Sequence, residues 1–155
     1  MKSLADRRDT ADLLDRLARL RPDSPPRWGR MTAPQMVCHL RDAFLMGTAA
    51  KPVSHVATLY RRTVVKWLAL YGPLRWPAGL ATRPEIDQTI AGTRPGEFTS
   101  DVAALAALIG RVTSEPDFFR ERRHPIFGAL SDASWRRWAY LHVDHHLRQY
   151  GLSRR

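Results

Sequence analysis

Apolar residues recur at steps of three and four along most of this chain, and that spacing is the feature that most limits how it can fold. In the N-terminal stretch the pattern consists of Leu13, Leu14, Leu17 and Leu20. Side chains at this spacing share one face of an α-helix, in which a turn takes 3.6 residues. No stretch shows the alternation of apolar and polar residues that predicts a β-strand. The sequence therefore predicts an all-α fold.

Capping residues, prolines and glycines indicate where the helices begin and end. Thr32 and Gln35 form a capping box at the start of the second helix, and Gly151 follows the last one. We predict helices over residues 3–20, 32–46, 54–71, 99–114 and 132–149. Residues 73–98 are rich in proline and glycine but include aromatic and apolar residues, which predicts a long ordered loop. The expected architecture is a four-helix bundle with this loop and a short extra helical element.

Length and composition favour one domain without a membrane span. The 155 residues, 44% of them hydrophobic, suit a single compact domain, which we expect to cover residues 1–155. The longest apolar run, residues 67–74, is far shorter than the roughly 20 residues that cross a bilayer, so we expect no membrane partner. The N-terminus is charged where a signal peptide would be apolar, and Cys38 is the single cysteine. Both features favour a cytoplasmic protein.

The formal charge of +10 raises the question of a nucleic-acid partner, because lysine and arginine neutralise phosphates. The basic residues are scattered along the chain, and most should lie on solvated helix faces. No motif of a known nucleic-acid reader is present. We therefore expect nucleic acid not to be a partner, and a steep salt dependence of nucleic-acid binding would reverse that expectation.

Three of the six histidines, His142, His145 and His146, lie within five residues near the C-terminus. His142 and His146 are four residues apart, so they project side by side and continue the apolar stripe of the last helix. Helices bind zinc through two histidines at this spacing, and His145 is an alternative partner for His142. Two ligands alone bind weakly, and His39, on the inward stripe of the second helix, is the candidate for a third. The competing interpretation is a polar stripe that is hydrogen-bonded inside the bundle.

The remaining histidines and the cysteine suit structural roles. We expect His55 to be an exposed residue at a helix start and His124 to lie in a loop that leads into the last helix. Cys38 precedes His39 and is therefore turned about 100° away from it around the helix. We interpret Cys38 as a small buried side chain rather than a ligand.

The histidine pattern resembles that of the DinB/YfiT-like superfamily of metal-binding four-helix bundles. That pattern is one histidine on the second helix and a His-x3-His on the last helix, within a domain of this length. The chain is still more similar to a bacterial subgroup known only as a domain of unknown function. The similar strings are residues 28–39, 82–85, 92–95, 124–128 and 141–151.

This resemblance implies a ligand set and a class of activity. It implies His39, His142 and His146 as ligands of a divalent ion, which we expect to be zinc, nickel or iron. It also implies a homodimer. Some relatives transfer low-molecular-weight thiols such as mycothiol or bacillithiol to electrophiles, so a thiol is a possible second cofactor.

A site of three histidines also limits the chemistry. Three imidazoles leave at least one position of a divalent ion open, which is typical of catalytic sites. Two reaction classes follow for a small-molecule substrate: hydrolysis, or transfer of a thiol to an electrophile. A hydrolase needs a carboxylate base, but Asp42 is equally placed to orient an imidazole and Asp144 should face solvent beside Arg148. The alternative is a non-catalytic stress-response or interaction protein, in which the ion only joins two helices.

The loop 82–97 contributes two further candidates, Arg83 and Arg94, each between a threonine and a proline. They form either a fork for a carboxylate or phosphate at the mouth of the bundle, or ion pairs with Glu85 and Glu97 that fasten the loop. We expect the ion pairs, because such bridges are common in loops. Together with Asp42, the side chains of His145 and Gln149 complete the candidates for contacts around the histidines.

Overall fold

The protein is mostly helical in a computed structural model that describes residues 1–119 and 123–154. Its helices are α1 (Arg7–Ala18), α2 (Ala33–Gly47), α3 (Lys66–Tyr71), α4 (Phe98–Ser114) and α5 (Asp132–Gln149). A π-helical segment, Arg61–Val65, leads directly into α3. Two short strands, β1 (Arg123–His124) and β2 (Gly128–Ala129), pair antiparallel. The prediction of a mainly helical protein is confirmed.

Side-chain caps determine where the long helices begin. The capping box of α2 is present. The Thr32 hydroxyl accepts from the backbone N–H of Gln35, and the side-chain oxygen of Gln35 accepts from the backbone N–H of Thr32. Asp6 caps α1 through the amides of residues 8 and 9, so this helix begins later than predicted. The carboxylate of Glu97 accepts from the amides of residues 99 and 100, so α4 begins at Phe98. A side-chain oxygen satisfies first-turn amides in each case.

The four long helices pack against one another around the core. α1 and α2 each contact both α4 and α5. Of the four leucines that form the predicted face of the first helix, Leu13, Leu17 and Leu20 are buried and Leu14 is partly buried. The inward stripe of α2 and the α5 indoles Trp135 and Trp138 are buried. Leu13, Met36 and Trp135 are fully buried. No helix in the described part of the chain combines the length and the apolar character needed to cross a bilayer.

The third predicted helix, over residues 54–71, was wrong in extent. The chain is helical only from residue 59. Before that point, the Val56 amide donates to the carbonyl of Pro125 at 2.8 Å and the Ser54 amide donates to Glu85 at 2.9 Å. These hydrogen bonds fasten residues 54 and 56 to distant parts of the chain. The apolar side chains of the helical part are largely exposed to solvent, as Trp67 at 59% and Leu68 at 47% illustrate.

The hairpin of β1 and β2 was not predicted, because strands of two residues are too short to show alternation. It buries His124, which we had placed in a loop. The His124 Nδ1 accepts from the backbone amides of Ile126 and Phe127, and its ring stacks on the Phe127 ring at 4.7 Å. His55 is exposed as predicted but precedes the helical segment. The loop 73–98 contains one 3-10 turn, Pro84–Ile86.

Candidate metal centre

Two helices bring the three predicted ligands together. His39 lies in the middle of α2, and His142 and His146 lie one turn apart on α5, which packs against α2. All three side chains are buried, with at most 9% of each residue exposed. Their distribution over two helices explains how residues 103 positions apart in the sequence become neighbours.

The nitrogens of these histidines lie close enough to bind one metal ion. One ring nitrogen from each lies within 4.8 Å of the other two. The Nε2 atoms of His39 and His142 are 3.1 Å apart. Two nitrogens bound about 2.0–2.1 Å from a tetrahedral zinc ion would lie about 3.3 Å apart, so this separation fits a shared ion. The His146 ring lies 4.9 Å from the His39 ring and 5.0 Å from the His142 ring, measured between centroids.

Hydrogen bonds from Nδ1 of His39 and of His146 favour the tautomer that leaves Nε2 free to bind a metal ion. The Nδ1 of His39 lies 2.7 Å from the carbonyl oxygen of Ile86, which can only accept. The Nδ1 of His146 lies 2.8 Å from Oε1 of Gln149. The Gln149 amide nitrogen donates to the carbonyl of Trp28 at 2.6 Å, which orients the amide oxygen toward His146. With the proton on Nδ1, both rings present an unprotonated Nε2 to the centre of the cluster.

The third ring differs in its outer contacts. The Nδ1 of His142 is buried without a hydrogen-bond partner among the described residues. The ring is instead held by aromatic contacts, at 4.9 Å from the Trp138 ring and 6.0 Å from the Trp76 ring. Packing rather than a hydrogen bond therefore positions this imidazole.

Burial keeps the cluster uncharged. Loss of hydration lowers the pKa of His39 and lowers the pKa values of His142 and His146 well below the usual value of histidine. The neighbouring imidazoles add to this effect at His142, because a charge on one ring opposes a charge on the next. Neutral imidazoles are the form that binds metals.

His145 lies at the edge of the cluster. Its ring packs against His146 at 5.1 Å and lies between the indoles of Trp28 and Trp76, at 5.8 and 6.0 Å. Burial, aided by the Arg148 charge, lowers the pKa of His145 to about 4. His145 is not a member of the group of three nitrogens within 4.8 Å.

Asp42 holds the loop rather than an imidazole. Its carboxylate accepts from the backbone N–H of Thr93 at 2.8 Å and from the Thr93 hydroxyl at 2.6 Å. It also accepts from the side-chain nitrogen of Gln88 at 3.0 Å. It also pairs with Lys51 at 2.9 Å. These bonds tie the 84–93 part of the loop to α2 one turn after His39. They support the position of the Ile86 carbonyl, which contacts the His39 ring.

The two loop arginines have different surroundings. The guanidinium of Arg83 donates to the hydroxyl of Ser54 and lies 3.9 Å from the Glu85 carboxylate. Hydrogen bonds from Ser54 lower the pKa of Glu85 to about 2. Arg94 is exposed, and Glu97 caps α4 instead of holding this arginine. The structure thus shows one fastened loop arginine and no fork formed by the two.

Other acids predicted near the site are engaged elsewhere. Asp144 pairs with Arg148 at 2.9 Å, as predicted, but it does not simply face solvent, because it is half-buried and also pairs with the fully buried Arg16 at 2.8 Å. Cys38 is buried, and its thiol lies 3.5 Å from Asp101. Burial raises the pKa of Cys38 to about 11, with the Asp101 charge adding to the effect. Neither side chain contacts the histidine cluster.

Sequence reasoning missed the backbone contacts that orient the ligands. The carbonyls of Ile86 and Trp28 carry no residue-specific signal, because any residue supplies the same acceptor. Gly29 offered an indirect signal. It has φ of 80°, and a β-carbon there would lie 2.6 Å from the Gln149 side-chain nitrogen. Glycine at this position lets the chain approach Gln149 closely enough for the Trp28 carbonyl to bind it.

The chain belongs to a protein family of unknown function. Residues 5–151 match the family described as "Protein of unknown function (DUF1569)". Because that match covers most of the sequence, the expected membership of a domain of unknown function is confirmed. No curated protein and no solved structure matches the chain. A function must therefore be argued from the residues of the site.

Proposed function

We propose that this member of the DUF1569 family binds a divalent metal ion through His39, His142 and His146. The observation that carries the proposal is the convergence of three buried imidazoles, two of which have Nδ1 against acceptors. We further propose that α1, α2, α4 and α5 form a four-helix bundle of the DinB-like superfamily. Such bundles build metal sites from side chains on facing helices.

The proposed role is that of a metal-dependent enzyme of the thiol-transferase or hydrolase type. When bound, a divalent ion at three imidazoles supplies a Lewis acid with a position open to a thiol or to water. Residues of the chain orient two of the ligands. The Ile86 carbonyl keeps a proton on Nδ1 of His39, and the Gln149 side chain keeps one on Nδ1 of His146. The indoles of Trp28 and Trp76 limit the access of water beside His145.

Of the two reaction types, the surroundings favour thiol transfer. A hydrolase needs a carboxylate near the ion as a base. The candidate acids are engaged by other groups, Asp42 by Lys51 and Thr93 and Asp144 by Arg16 and Arg148. A thiol whose pKa is lowered by a metal ion needs no such base. A small-molecule substrate, a homodimer, a cytoplasmic location and zinc, nickel or iron as the ion stay predictions.

The second candidate function is a non-catalytic protein whose ion joins α2 to α5. The burial of all three histidines favours it, because a closed site leaves little room for a substrate. Metal binding would then stabilise the fold without turnover.

The experiment compares both functions on protein purified without a histidine tag and loaded with zinc, nickel or iron. A low-molecular-weight thiol with a chromogenic electrophile tests transfer, and a nitrophenyl ester tests hydrolysis. The enzyme predicts turnover above the uncatalysed rate that is lost in His142→Ala and kept in His55→Ala, an exposed histidine outside the cluster. Metal-dependent stabilisation without turnover of either probe would contradict the enzyme and support the joining role. Loading with cobalt adds a second readout, because a thiol that reaches the ion changes its absorption spectrum.

A further inference from the structure

One surface of the protein is unusually apolar for a solvent-exposed segment. Residues 59–75, which we call the amphipathic segment, include the π-helical turn and α3. They expose seven large apolar side chains, namely Leu59, Tyr60, Val64, Trp67, Leu68, Tyr71 and Leu74. Leu59 and Leu74 are each 79% exposed and Trp67 is 59% exposed. Contiguous apolar surface of this kind indicates an interaction site rather than ordinary scatter.

The charged residues that the segment itself carries all have one sign. From residue 43 to residue 84 the sequence contains no aspartate or glutamate. The same stretch contains six basic residues, of which Arg61, Arg62, Lys66 and Arg75 lie within the amphipathic segment. The nearest acids along the chain, Asp42 and Glu85, are held by Lys51 and by Ser54. The face is therefore both apolar and cationic.

A cavity of about 670 Å³ lies beside the segment and shares two of its arginines. Its basic lining side chains are His55, Arg61, Arg62 and Arg123. The described lining contains no acidic residue. Guanidinium groups bind phosphate oxygens through paired hydrogen bonds, so the chemistry of this cavity suits a phosphate group.

We propose that the amphipathic segment docks the protein on the surface of an anionic lipid bilayer. Trp67, Leu68 and their apolar neighbours would enter the interfacial region, where aromatic side chains are favoured. The arginines would lie at the depth of the headgroups, and the cavity would receive a headgroup phosphate. Docking of this kind needs one amphipathic face and no spanning helix. This proposal replaces the earlier expectation of no membrane partner, because that expectation considered only segments long enough to cross a bilayer.

The charge distribution favours a bilayer over the other occupants of such a face. A second copy of the chain would bring this cationic patch against an identical cationic patch, and the repulsion between two patches of the same sign opposes association. A nucleic acid would neutralise the arginines but would leave Leu59, Trp67 and Leu74 without an apolar environment. An anionic bilayer satisfies both the charge and the apolar surface.

The test is co-flotation of the full chain with vesicles of phosphatidylcholine alone or mixed equally with phosphatidylglycerol. Trp67→Gln/Leu68→Gln removes apolar surface, and Arg61→Gln/Arg62→Gln removes charge. Leu80→Gln/Ile90→Gln and Arg7→Gln/Arg8→Gln are matched controls, because these side chains are exposed outside the segment. Circular dichroism and metal content confirm that each variant is folded, and they keep this test separate from that of the metal site.

We expect the wild type to bind anionic vesicles but not neutral ones, with affinity that falls as salt is added. Loss of two basic residues should reduce partitioning by about 30-fold, and loss of Trp67 and Leu68 by at least about tenfold. The controls should bind as the wild type does.

The proposal would be overturned if the wild type did not bind anionic vesicles at low salt. It would also be overturned if both segment variants bound these vesicles as well as the wild type does. Sedimentation showing a dimer that Trp67→Gln/Leu68→Gln dissociates would overturn it in favour of a second copy. Binding of duplex DNA that depends on the arginines but not on Trp67 would overturn it in favour of a polyanion.

Discussion

Replacing Gln149 with methionine tests how the chain orients the His146 ring. The Gln149 side chain is buried, with its oxygen 2.8 Å from Nδ1 of His146 and its nitrogen 2.6 Å from the Trp28 carbonyl. Methionine has a similar length but neither donates nor accepts in this way. It would leave the buried Nδ1 of His146 without a partner, which costs about 1–3 kcal/mol, whereas the carbonyl of the half-buried Trp28 would lose a partner at smaller cost. The metal-free protein should therefore lose about 1–3 kcal/mol of unfolding free energy.

The same substitution should weaken metal binding beyond its effect on the fold. Partners that orient a metal-binding histidine typically change affinity by about 10–100-fold when they are removed. That range corresponds to about 1.4–2.7 kcal/mol of binding free energy. The cause is that the His146 proton is no longer held on Nδ1, so Nε2 no longer faces the cluster as a free ligand atom.

Two measurements separate these effects. Urea unfolding of the metal-free protein gives the change in stability, and competition with a chromophoric chelator gives the metal affinity. Ile109→Ala is the control, because Ile109 is fully buried on α4, which supplies none of the three histidines. It should cost about 2–5 kcal/mol of stability and leave affinity for the folded protein unchanged. Gln149→Met with the affinity of this control would refute the reasoning.

Two further predictions concern buried polar groups outside the three ligands. Asp42→Ala should lower the unfolding free energy by about 3–5 kcal/mol, because it leaves Lys51 and buried loop donors without their acceptor. Urea unfolding measures this loss, with Asp15→Ala as the control, because the exposed ion pair of Asp15 with Arg19 should contribute less than about 1 kcal/mol. An equal loss of unfolding free energy in the two variants would contradict the role of Asp42. Burial lowers the pKa of His124 from 6.5 to about 3, so its neutral form stabilises the fold above pH 6.5, and this contribution is lost as the pH falls toward 3. Over that range the wild type should lose about 1.4 kcal/mol per pH unit more than His124→Asn, and parallel stability curves would contradict the burial of a neutral imidazole.

The parts of the fold and site that depend on local spacing could be predicted from the sequence. The pair His142 and His146 follows from the helical repeat, and the capping box at Thr32 and Gln35 follows from short-range hydrogen bonds. His39 could be selected because it lies on the same stripe as Met36 and Leu40, and that stripe is buried.

The parts that depend on distant contacts could not be predicted. The segment 54–58 does not continue the predicted helix, because its backbone binds Pro125 and Glu85. The exposed face of α3 has the same helical period as a buried one, and periodicity alone does not say which side meets the core. The role of Ile86 depends on a backbone carbonyl brought to His39 by a loop that Asp42 holds. The spacing of apolar residues shows that a helix has an apolar face, but not what packs on that face or whether the face is buried.

The most direct test of the metal site is the metal content of the untagged protein, measured for the wild type, His39→Ala, His142→Ala and His55→Ala. A shared site predicts close to one divalent ion per chain in the wild type and in His55→Ala, and loss of the ion in both ligand variants. Loss in both would show that α2 and α5 bind the same ion. A wild type that takes up no zinc, nickel or iron, or ligand variants that keep their metal, would contradict the site and leave the histidines as a buried polar stripe.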